Sequence, residues 1–223
     1  MGQASNARLF PGWLKAGFWI CVVISVAVVL RRVVALAHPS QGVGSPLAAL
    51  DADFASHTTL TLAHILPAML FVLVTPFVLA GRRNWLWVER LFYPLGVVVG
   101  VTAYAMSRYA IGGWVERSAV LVFNTLFLFS LTKSYLWMRR GEVVEKMRWA
   151  LRAVGILLGI ATTRPVMGVF FATSRLTHLE PRQFFGVAFW IGFSINTIVF
   201  EVWLRSRQGR QLPFDSVAML SKP

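Results

Sequence analysis

Six runs of about 18–25 mostly apolar residues, divided by short polar or basic stretches, constrain this chain more than any other feature. A run of that length crosses a hydrocarbon layer about 30 Å thick, and in lipid a single spanning segment satisfies its own backbone only as a helix. The strict alternation of a barrel strand is absent. Composition agrees: 57% of the 223 residues are hydrophobic and 14% are charged, where a soluble domain carries about 45–50% and about 25%. The expectation is an all-α integral membrane bundle, one domain over residues 1–204, with a polar tail over 205–223.

The spans are expected at about 14–36, 58–80, 91–109, 118–137, 148–173 and 184–204. The first follows Arg8 and Lys15 and runs into Arg31 and Arg32. Ala35-Leu36-Ala37 behind it gives it some features of a cleavable signal peptide, but its length and the intervening arginines favour an uncleaved helix. The connector His38 to Ser56 is rich in small and turn-forming residues and carries Asp51 and Asp53. Pro67 and Pro76 fall inside the second span, where each removes a backbone donor and should bend the helix.

Charge sets the expected orientation. With the N-terminus in the cytoplasm, thirteen Lys and Arg residues flank the spans on the inner side and six on the outer. That bias places both termini inside. Trp13, Trp85, Trp87, Tyr93, Tyr135, Trp137, Trp149 and Trp203 then gather near the inner boundary, as aromatic anchors do. A net charge of +13 would suggest nucleic acid in a soluble protein; here the basic residues sit at helix ends, and no basic domain remains to bind it. Cys21 is the only cysteine, so disulfides, zinc fingers and iron–sulfur clusters within the chain are excluded.

On this topology four spans carry a polar residue at a similar depth, roughly 8–14 Å below the outer boundary. They are His64, Tyr104, Asn124 and Arg164. A charge at that depth costs at least about 2.5–3.5 kcal/mol unless it faces the bundle or water. Arg164, next to Pro165, therefore has two readings. It binds an anionic or carbonyl group in an outward-facing cavity, or helix carbonyls, Asn124 and Tyr104 neutralise it and it locks the bundle. Asp51 and Asp53 are better placed than Glu201 to pair with it if their loop folds over the cavity.

His64 admits a haem or metal ligand, a proton relay or an interior hydrogen bond. His57 lies seven residues earlier, about 10 Å along the axis, too far to share one metal ion. A bis-histidine haem would need a partner from His38 or His178, both in outer loops. Glu201 and Arg205, four apart, form a local pair at the headgroup level. Gly96/Gly100 and Gly155/Gly159 allow close helix packing. No phosphate loop, HExxH pair, nucleophile elbow or acidic metal cluster is present.

The order of His64, Pro76, Arg82 or Arg83, Arg90, Trp149, Arg152 and Arg164 resembles an uncharacterised family of bacterial multi-pass membrane proteins, domain of unknown function 2306. The likeness covers about Ala49 to Arg164 or beyond. Two positions depart from it: Glu89 and Lys146 stand where that family has histidines. Their replacement weakens any metal or haem role carried over. The resemblance implies a bacterial cytoplasmic membrane location and supplies no reaction.

Three functions follow as expectations. The first is binding of a lipid, quinone or similar apolar ligand in an outer-half cavity, with Arg164, His64, Tyr104 and Asn124 at its polar head. The second is a cytochrome b-like redox protein with His64 as a haem ligand. The third is an accessory or structural subunit of a membrane complex, or a homo-oligomer. Inverted repeats of the transporter kind are not evident.

Overall fold

The computed structural model describes residues 11–38, 48–80 and 86–207. Helix α1 covers Gly12–Ala37, α2 Ala48–Ala55, α3 Thr58–Leu79 and α4 Leu86–Met106, followed by a 3-10 turn at Ser107–Tyr109. Helix α5 covers Gly113–Arg139, α6 Val143–Leu157, α7 Gly159–Thr177 and α8 Pro181–Ser206. Six segments are long and apolar enough to cross a membrane, with α6 and α7 forming one of them, Val143–Ser174. No strand occurs among the described residues. The chain is an all-α polytopic membrane protein. Residues 1–10, the loop positions Arg82, Arg83 and Trp85, and most of the tail (208–223) lie outside the described residues.

Helices overrun the expected spans by a few residues at most ends. The fourth begins at Gly113 and ends at Arg139, against an expected 118–137. Hydropathy marks only the part in hydrocarbon, whereas the backbone stays hydrogen-bonded beyond it and basic or aromatic flanks reach the headgroups. Two differences are larger. The connector after α1 contains a helix, α2, built on an alanine-rich stretch with high helix propensity. The fifth span is interrupted at Leu158, where the Ala161 N–H reaches the Leu158 carbonyl in a tight i→i−3 bond of 3.0 Å. Pro165 removes the donor that the Ala161 carbonyl would otherwise accept, and Thr163 Oγ1 takes the Ile160 carbonyl at 2.6 Å. Pro67 and Pro76, by contrast, lie within an α3 that runs unbroken.

The closest helix pairs are α3 with α4, α5 with α6, and α7 with α8; α5 also packs on α4 and α8, and α1 on α3 and α7. Glycines permit the tightest crossings. A methyl group added to Gly192 of α8 would stand 2.6 Å from the backbone nitrogen of Thr163 in α7. Gly155 and Gly159, expected to serve packing, face Phe200 and Phe193. The outer surface is apolar, with Val101 58% and Ile198 59% exposed, as a lipid-facing surface must be.

One end of the bundle is solid. Leu14, Leu79, Met147, Leu151, Phe200 and Trp203 form a cluster there. Ion pairs surround it: Glu201 holds Arg152 and Arg205 at 2.8 Å each, and Lys146 holds Glu89 at 2.8 Å. The expected Glu201–Arg205 pair is present, with Arg152 added from α6. Glu89 and Lys146, the two positions that depart from the family resemblance, are therefore partners.

Candidate functional site

The other end, where α2 lies, is hollow. A cavity of about 250 Å³ is walled by the second half of α1, the first halves of α3, α5 and α8, the end of α4 and the α6–α7 junction. That is far above the volume of a single water molecule and just under the usual range for small-molecule pockets. Its walls are mostly aliphatic and phenylalanine side chains, with Phe123 stacked on Phe193 at 5.2 Å on the α5–α8 side.

His64, Asn124 and Arg164 line this cavity. Contacts between helices put them at one depth. His64 bonds Thr102 and Asn124 bonds Gly100, two residues apart on α4, a rise of about 3 Å. Phe123, beside Asn124, packs between Trp190 and Phe193 of α8, and Gly192 abuts Thr163, the neighbour of Arg164. Tyr104 is not with them. Its hydroxyl donates to Thr125 Oγ1 at 2.7 Å, since the Thr125 hydrogen goes to the Leu121 carbonyl. Ala103 faces the cavity instead, and the next residue of a helix is turned about 100° away.

Each polar group has a different state of satisfaction. The Asn124 amide is spent on the Gly100 carbonyl at 2.9 Å. His64 Nδ1 lies 2.9 Å from Thr102 Oγ1. Arg164 is left over. Its Nε is buried without a hydrogen bond, and its Nη1 reaches only the Met167 sulfur at 4.0 Å. No carboxylate among the described residues lies within ion-pair distance of it.

None of the described acidic residues nearby forms an ion pair with Arg164. Asp51 of α2 holds Arg31 at 2.9 Å and Arg32 at 2.5 Å, and the Arg32 guanidinium lies 3.9 Å from the Phe54 ring centroid. Helix α2 lies over the cavity, with Asp53 and Phe54 in its lining, yet Asp51 does not pair with Arg164; two arginines at the end of α1 are closer. Asp53 sits exposed on the rim. Glu116 lines the cavity, is 8% exposed, and accepts the Gly112 N–H at 2.7 Å.

Sequence reasoning missed Glu116 because it falls at the end of a span, where a charge reads as headgroup-facing. It also missed Ser25 of α1, a lining residue whose buried Oγ has no hydrogen-bond partner. Its level is close to that of Arg164. Cys21 Sγ lies 3.9 Å from Thr162 Oγ1, so on these parallel helices Ser25 and Arg164 stand about 6 and 3 Å further along.

His57 lines the cavity near its rim and rests on the Tyr109 ring, centroids 3.7 Å apart. It is the N-cap of α3, which carries His64 seven residues on, so the two cannot face each other across a haem. His38 and His178 end α1 and α7 and lie outside the lining.

The fold and site define a polytopic helical membrane protein with an internal, largely apolar cavity at one end. No protein-family model, curated protein or solved structure matches the chain.

Proposed function

We propose that the protein binds an amphipathic molecule, a lipid, quinone or similar compound, with its polar head in this cavity and Arg164 as the principal contact. One observation carries the reading: a guanidinium sits in an apolar-walled cavity with no carboxylate at ion-pair distance among the described residues, while Glu116 on the same wall is held by the Gly112 N–H and the Asn124 amide by the Gly100 carbonyl. A buried cation left in this state is costly unless something polar occupies the space beside it. The haem reading has weaker support, because His64 has no histidine facing it among the described residues.

The excess of basic residues at the solid end favours that end in the cytoplasm, with the cavity toward the outer leaflet. The family resemblance favours a bacterial cytoplasmic membrane.

The test is native mass spectrometry of the purified protein beside its Arg164→Met and Arg164→Lys variants. Wild type should retain an amphiphile. The methionine variant should lose roughly 90% or more of it, since a hydrogen bond to a charged group is worth about 1.5–3 kcal/mol. The lysine variant should keep part. Equal retention in wild type and the methionine variant would defeat the reading.

A further inference from the structure

We propose, on the basis of the cavity reading above, that the ligand is an aromatic quinol, bound in preference to the oxidised quinone. The position of one proton decides this. Thr102 has a single hydroxyl hydrogen, and it goes to the Val98 carbonyl at 2.7 Å. The Thr102 oxygen is then an acceptor, so the His64 Nδ1 at 2.9 Å must be the donor. A neutral imidazole with its proton on Nδ1 has a bare lone pair on Nε2. The Val99 carbonyl, 3.1 Å from the Thr102 oxygen, also accepts from the His64 ring and is a second acceptor on the Nδ1 side, while Nε2 is not among the sealed, unsatisfied atoms of the interior.

Nε2 in this state takes a donor. A quinol hydroxyl supplies one; a quinone carbonyl presents lone pairs to a lone pair. The α1–α7 wall has the opposite demand, because a guanidinium only donates. Arg164 needs an acceptor, since its Nη1 reaches only the Met167 sulfur at 4.0 Å. A ring with two hydroxyl oxygens meets both, donating to His64 through one and accepting from Arg164 through the other. Between them the cavity offers aromatic surface: Phe123 stacks on Phe193, and Phe189 leans on Phe193 at 5.9 Å. Such rings favour offset or edge contact with another aromatic ring.

Formal charges at the cavity do not demand an anion. Arg32 and Arg164 are offset by Asp53 and Glu116. A neutral head that both donates and accepts suits this balance better than a phosphate.

The experiment measures equilibrium binding of decyl-ubiquinol, kept reduced without oxygen, and of decyl-ubiquinone to the full chain in nanodiscs. The quinol should bind about tenfold more tightly, the value of one hydrogen bond made against one refused. Thr102→Val removes one of the two acceptors that hold the proton on Nδ1, the Val99 carbonyl being the other; the preference should then shrink severalfold, as more of the ring carries its proton on Nε2. His64→Phe should also erase the preference, whereas Arg164→Met should weaken both forms alike. Equal binding of the two forms, tighter quinone, or an unchanged preference in Thr102→Val would overturn the inference. Failure of both forms to bind while wild type retains another amphiphile would also overturn it and leave the cavity reading standing. If nothing is retained and nothing binds, both fall.

Discussion

An arginine inside an apolar bundle with no carboxylate at ion-pair distance is a standing cost, at least about 2.5–3.5 kcal/mol at the centre of a span. Arg164→Met should therefore raise the thermal midpoint of the ligand-free protein in detergent while lowering its ligand content; a fall in the midpoint would mean that the guanidinium holds the bundle together. Asn124 is the opposite case. Its amide closes the Gly100 carbonyl inside the core, so Asn124→Leu should lower stability by about 1–3 kcal/mol, read as a shift in thermal unfolding. His64, Asn124 and Arg164 were legible because polar side chains stand out in apolar runs. The direction of Tyr104 was not. Both faces of α4 are apolar, with Val99 buried and Val101 facing lipid, so periodicity cannot distinguish core from membrane there. Ser25 was invisible for a simpler reason: a small hydroxyl barely changes hydropathy, and only packing shows that its oxygen is sealed without a partner.

Elements meet in this protein where side chains are smallest. Gly192→Val would drive a side chain into the backbone of Thr163, with nothing flexible to yield. We expect loss of about 1–3 kcal/mol or more, seen as a lower thermal midpoint and broadened gel filtration in detergent. Helix α2 is tied down by charge instead. Asp51→Asn should speed hydrogen exchange over residues 48–55 about fivefold relative to wild type, consistent with the loss of roughly 1 kcal/mol from two partly exposed ion pairs. The six spans were legible because each must cover a fixed thickness of hydrocarbon with apolar residues. Helix α2 was not, because its eight residues are too few for a membrane pattern and lie among small residues that read as a loop. The interruption at Leu158 was equally hidden, since it comes seven residues before Pro165 and leaves the apolar run intact.

For the molecule as a whole, orientation is the property that sequence bears on and geometry does not. Phosphatase fused after residue 207 should be inactive, and green fluorescent protein fused there should fluoresce, if the basic end faces the cytoplasm. Arg31 and Arg32, which run against that bias, share Asp51, and this tempers their weight as topogenic charges. The cavity itself was foreseen only as polar groups at one depth; that six helix segments leave empty space there depends on side-chain volumes that no one-dimensional pattern records. The break at Leu158 gives the bundle a joint at the floor of that space. Below it, α6 is fixed by Met147, Leu151 and the Arg152–Glu201 pair. Above it, α7 carries Arg164 on a segment joined by a single tightened turn. Yet Gly192 of α8 rests on the Thr163 backbone one residue before Arg164, so the chain can bend at that turn only if α8 moves with it, and the guanidinium is set as firmly as the helix pair that carries it.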